Sequence, residues 1–154
     1  MTRSVAPQDL TPVRFVVPGT PQGKGRPIAG MGFHGRPTLR TPAKTAAYEG
    51  VIALAAQQAM AGRAPMSFPC MVELRIIVCP PASWSKKRQT AALAGQVVPT
   101  KKPDLDNVCK ALFDGMNGVV WVDDVQAVDV TARKRYGSTP GVDVLVTPMP
   151  TEGA

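Results

Sequence analysis

The chain has 154 residues, 44% of them hydrophobic, which suits one domain with its own core. Eighteen lysines and arginines against eleven acids give a formal net charge of +7, which points to a polyanionic partner, nucleic acid by default. No apolar run reaches the length of a membrane span, and three cysteines without C-x-x-C spacing argue against a disulfide framework or a zinc site.

The opening MTRSVAPQDLTPVRF has no signal-peptide core, so a cytoplasmic protein is expected, with residues 1–12 as a loosely attached arm to one domain spanning 1–154. Val13–Val17 is a short apolar run and reads as a first strand, closed by Pro18-Gly19. Residues 19–42 read as a loop rich in glycine and proline. It carries Lys24, Arg26, Arg36 and Arg40 with no acid to offset them, a pattern suited to phosphate contact. Phe33, within this loop, is a candidate wedge into branched DNA. Thr41-Pro42 reads as an N-cap and first helical position. The helix that follows, ending near Gly62, would bury Tyr48, Val51, Ile52, Ala55 and Ala59.

Residues 70–79, CMVELRIIVC, alternate as a strand with Val72, Leu74, Ile76 and Val78 on one face. Ser85 caps a short helix whose first turn holds Lys86, Lys87 and Arg88, the wrong end of the helix dipole for cations. After Pro103 a second strong helix shows the apolar stripe Val108, Ala111, Leu112 and Met116, with Gly118 as its stop. VVWV, residues 119–122, is a short strand-like run ending in Asp123-Asp124. Residues 125–136 alternate as a strand, with Val128, Val130 and Ala132 inward and Asp129, Thr131, Arg133 and Arg135 outward. Residues 137–141 read as a turn and GVDVLVTP as the second half of a hairpin. The fold class is therefore α+β, a single domain with two main helices on a mainly antiparallel or mixed sheet.

The acids are unevenly spread. Six of the eleven, Asp104, Asp106, Asp114, Asp123, Asp124 and Asp129, fall within 26 residues of a basic protein. Asp104 and Asp106 stand two apart where an extended segment becomes a helix. If that helix packs against the VVWV run, the two pairs Asp104/Asp106 and Asp123/Asp124 would converge. Three or four converging carboxylates bind Mg²⁺ or Mn²⁺, hard cations that take oxygen ligands. Without a cation they could not all remain ionised. Lys110 lies one helical turn beyond Asp106, placed to stabilise charge on a phosphate or its leaving oxygen. Lys101, Lys102, Arg133, Lys134 and Arg135 would hold the rest of a polyanion. Each element also has an ordinary reading: a helix cap, an exposed i,i+4 ion pair, a turn. The clustering within basic flanks favours the metal site. An EF-hand fails, because position 12 of a loop beginning at Asp104 is Gly115.

The segment KKPDLDNVCKALFDGMNGVVWVDDVQAVDVTARKRYG resembles the RusA family of Holliday junction resolvases, especially its phage and prophage members. The shared order is D-L-D-N, a lysine four after the second Asp, F-D-x-M-N-G, W-x-D-D-x-Q and K-R-Y-G. VPGTPQGKGRP resembles the family's opening as well. The resemblance implies a Mg²⁺-dependent endonuclease (Mn²⁺ as substitute) that acts on four-way junctions and other branched DNA as a homodimer. It assigns catalysis to Asp104, Asp106, Asp124 and Lys110, with Asp123 in support. Lys101-Lys102-Pro103 departs from the arginine-rich run of some cellular members. The competing reading is a non-catalytic basic DNA-binding protein whose acidic cluster is structural. An RNA-directed nuclease would share the metal chemistry.

Overall fold

The computed structural model describes residues 9–150; residues 1–8 of the expected arm lie outside them. The arm's described end is fastened. Arg63 donates to the carbonyls of Thr11 and Asp9, each at 2.6 Å, and pairs with the Asp9 carboxylate at 3.2 Å.

Six strands and three α-helices follow in the order β1 (Val13–Pro18), β2 (Ile28–Met31), β3 (Pro37–Arg40), α1 (Ala43–Met60), β4 (Cys70–Val78), α2 (Lys86–Leu93), α3 (Leu105–Met116), β5 (Ala127–Tyr136) and β6 (Gly141–Pro148). Four strands form one mixed sheet in the order β1-β6-β4-β5. The pairings β1/β6 and β6/β4 are antiparallel and β4/β5 is parallel. The α+β expectation holds, with α1 and α3 packed on one face of this sheet. Buried valines on alternate positions of β1, β4 and β6 meet Tyr48, Ile52 and Ala56 of α1 and Val108, Ala111, Leu112 and Met116 of α3.

Several local expectations are corrected. β5 and β6 are not a hairpin, because β4 lies between them. Their four-residue link, Gly137–Pro140, must cross two strand spacings, about 10 Å, which four residues can span. Burial explains the order: every residue of β6 is buried or half-buried and belongs in the centre. β5, with its arginines, suits an edge. Val128 and Val130, expected inward, remain 61% and 42% exposed on that edge. VVWV forms no strand; it turns, with isolated bridges from Trp121 to Met66 and to Asn117. The basic loop contains the small hairpin β2/β3, exposed at every strand position.

The cap of α1 is Pro42 rather than Thr41, and its buried stripe is Thr45, Tyr48, Ile52, Ala56 and Met60. Val51 and Ala59 face solvent instead. An alanine-rich helix is apolar on every side, so its sequence alone does not mark the buried face. The α3 stripe, by contrast, is buried as expected, and Gly118 stops the helix with φ +75°. α1 and α3 approach closely because residue 115 is glycine: a Cβ there would lie 2.7 Å from Ile52 Cγ2 and 3.2 Å from the Glu49 carbonyl oxygen. No helix among the described residues is long and apolar enough to cross a membrane.

Candidate active site

The acidic motif divides between the two ends of α3. At the N-terminal end Asp104 is the N-cap residue, extended at ψ 139°, and its carboxylate makes no capping hydrogen bond. Asp106 lies in the first turn and Lys110 one turn further; all three are exposed. Asp106 and Lys110 do not close an ion pair, as no such bridge occurs among the described residues. The approach to this end is held from β5. Lys134 Nζ donates to the carbonyls of Lys101 and Pro103, each at 2.8 Å. Lys134 therefore fixes the segment that delivers Asp104. Cys109, half-buried against the core, has its thiol pushed up by burial and by the charge of Asp106.

At the C-terminal end the construction is tighter. Trp121 is fully buried, as a core role requires, and packs edge-on against Phe113 at 5.5 Å. Its indole N–H donates to Asn117 Oδ1 at 2.8 Å. With its oxygen so occupied, the Asn117 amide turns its N–H side to the Asp124 carboxylate and favours the ionised form. Burial, hydrogen bonding and charge from Asp123, and the charge of Asp114 outweigh that help and raise the Asp124 pKa.

Gln126 completes the frame. Its Oε1 accepts from the backbone N–H of Val122 and of Asp123, each at 3.0 Å. Its Nε2 donates to the carbonyls of Met66 at 2.8 Å and Phe68 at 2.9 Å. All four hydrogen-bonding capacities of the amide are used. One side chain thus ties the Asp123-Asp124 turn to the segment that leads into β4. Asn117 and Gln126 both fall within the motif, yet sequence reasoning assigned neither a task. Their spacing from Trp121 and Asp123 was the available signal.

The two carboxylate pairs do not converge within a protomer. Asp124 interacts with Asp114 and Asn117, and Asp114 lies eight residues beyond Asp106, about 12 Å along α3 at the α-helical rise. Among the described residues, no three His, Cys, Asp or Glu side chains gather closely enough to hold a metal ion. The expectation that both pairs meet at one end of α3 is thereby corrected. A short helix packed by its stripe keeps its two ends apart. Each pair offers two carboxylates, and an Mg²⁺ held by so few takes its remaining oxygens from water and phosphate.

The basic residues also sort by place. Lys24 does not project freely. Its backbone N–H donates to the Asn107 carbonyl at 3.0 Å and its ammonium bonds Asp114 and pairs with Glu49 at 3.3 Å, tying loop, α3 and α1 together. Asp114 chiefly, with Glu49, raises the Lys24 pKa against a smaller effect of burial. Arg26 and Arg36 are exposed beside and within the β2/β3 hairpin; the Phe33 side chain lies outside what the structure describes. Lys101 and Lys102 are exposed just before Asp104. Arg133 and Arg135 leave β5 on the sheet face opposite the helices. Trp84 is half-buried, edge-on to Tyr136 at 5.4 Å, with the Arg88 guanidinium 3.9 Å above its ring.

Comparison with known proteins agrees with this reading of the motif. The family described as Endodeoxyribonuclease RusA matches residues 18–147. The chain is 33% identical over 136 residues to the uncharacterized protein YqaN of Bacillus subtilis strain 168, covering 87% of this chain and 94% of that protein.

Proposed function

The chain belongs to the RusA endodeoxyribonuclease family, and from that premise we propose that it is a divalent-metal-dependent endonuclease that resolves four-way junctions or other branched DNA by paired cuts. The observation that carries this reading is Lys110, exposed one turn beyond Asp106 and unpaired with it, in a segment with the family's ordered motif. An exposed ammonium one turn from two exposed carboxylates is a useful arrangement for a phosphodiester.

The roles follow from position. Asp104, Asp106 and Asp124, with Asp123 in support, are the oxygens available to Mg²⁺ or Mn²⁺. The ion would neutralise carboxylates and phosphate together and favour attack by water. Lys110 stabilises the charge that develops as the P–O3′ bond breaks, or protonates the departing oxygen, leaving 5′-phosphate and 3′-hydroxyl. Lys101, Lys102 and the arginines of the β2/β3 hairpin hold flanking phosphates.

A homodimer supplies what one protomer lacks. β5 is an edge strand; Val128 and Val130 stand 61% and 42% exposed on it, and Val122 and Val125, in the turn just before it, 63% and 76%. Such an edge is a template for a second strand. α3 runs antiparallel to β5, since Lys134 reaches Pro103 while Asn117 reaches Asp124. An isologous pairing of β5 with its copy would bring the Asp123-Asp124 end of one protomer beside the Asp104-Asp106 end of its partner. Both sites would then be complete, and their symmetry would suit two matched cuts.

The test is cleavage of an end-labelled four-way junction and a linear duplex of the same sequence, in Mg²⁺ or EDTA, with Asp106→Asn alongside. Paired nicks in the junction alone, dependent on Mg²⁺ and absent in the variant, are expected. Junction binding without cleavage in either Mg²⁺ or Mn²⁺ would favour a non-catalytic binding protein.

A further inference from the structure

Arg133 and Arg135 pose a problem for the site just described. They project from the sheet face that α1 and α3 leave uncovered. There they meet two arginines remote in sequence, Arg14 of β1 and Arg75 of β4, along an open groove of about 490 Å³. We infer that this groove is a second phosphate-binding site, which takes a duplex arm of the DNA on the far side of the sheet from the acidic residues. The ligand it names rests on the nuclease reading; the groove itself is additional to it.

Strand register carries the argument. Arg75 stands directly opposite Arg133 across the parallel β4/β5 pair, with Arg135 the next residue on that face, opposite Ile77. Like charges placed squarely across a sheet repel. Two carboxylates, Glu73 and Asp143, also line the groove, and Asp143 faces Arg75 across the β4/β6 pair. Among the described residues, neither closes an ion pair with any of the four arginines. Only Arg135 spends a donor locally, on the Lys134 carbonyl at 2.9 Å. All four arginines are exposed. The face therefore holds a repulsion that the two carboxylates offset only in part, and a set of guanidinium forks outside any ion pair, whose geometry matches the oxygens of a phosphate. A sugar-phosphate strand along the groove would relieve the one and occupy the other. A junction has more arms than cutting sites, so an arm held behind the sheet would bend the substrate around the protein.

The test uses Arg14→Gln/Arg75→Gln, made in the cleavage-silent Asp106→Asn protein. Affinity for a four-way junction is measured across a range of salt. The expected result is binding weaker by about tenfold, with the slope of log affinity against log salt reduced by about 2, since each phosphate left without its cation removes about 0.9. The thermal midpoint should hold, and Arg14→Lys/Arg75→Lys should restore the slope. Unchanged affinity and slope in the folded glutamine variant would overturn the groove while leaving metal-dependent cleavage by the parent protein intact. Failure of the lysine variant to restore the slope would likewise overturn it, since the loss would then not be one of charge. A parent protein that binds no DNA would remove both readings together.

Discussion

The two ends of α3 present the same chemistry, a pair of aspartates, in opposite settings. The C-terminal pair is framed by a buried indole, an asparagine bridge and a glutamine with every hydrogen bond spent. The N-terminal pair stands in solvent on a segment held by one lysine. A site shared between two copies, as proposed above, would join one pair that is shaped before assembly to one that is open to fit against it.

The comparison breaks or stands first on complementation. Asp106→Asn and Asp124→Asn are each expected to lose cleavage by more than about 100-fold, the scale for removing a group that stabilises transition-state charge. Mixing and re-annealing the two inactive proteins should restore nicking of single strands, because a mixed dimer keeps one intact site. No recovery in a mixture shown to exchange subunits would mean that each protomer acts with its own acids.

The framing is tested by stability. Gln126→Ala strands several backbone groups and should cost about 1–3 kcal/mol in urea unfolding. Gly115→Val, forced against Ile52, should cost a comparable 1–3 kcal/mol, roughly. A glutamine variant as stable as the parent would show that the turn holds itself. At the open end, Lys134→Met should slow junction cleavage by roughly tenfold while moving the midpoint little, since the positioning it supplies acts on geometry.

The smallest effect is one of sign. The pKa of Asp124 is raised in the fold, so the folded state holds that proton more tightly than the unfolded chain. Stability from this group falls as pH climbs from the ordinary carboxylate pKa through the raised one. In EDTA at neutral pH, Asp124→Asn should therefore raise the thermal midpoint by a degree or so while abolishing cleavage. A lower midpoint would show that Asn117 outweighs the neighbouring acids.

Much of this was legible in the sequence. α3 announced itself because its apolar residues fall on one side, and Val108, Ala111, Leu112 and Met116 are all buried. α1 did not reveal its face, since alanines surround it. The β5/β6 hairpin was a false reading, because alternation gives a strand's faces but not its neighbours. The short link hid the strand that lies between them. The motif singled out the acids as a group, but proximity along the chain suggested proximity in space, and α3 sets the two pairs toward its opposite ends. Arg14 and Arg75 could not be associated with Arg133 by sequence, because only the sheet brings them together.

The place of β6 also has a consequence in time. Residues 141–148 lie between β1 and β4, so the opening strand has no partner in the sheet until that late segment has been made. While the ribosome is still at residue 140, the acids and the lysine already exist as sequence, yet the sheet beneath α3 lacks its middle. The sheet that supports them is therefore complete only once β6 has been made.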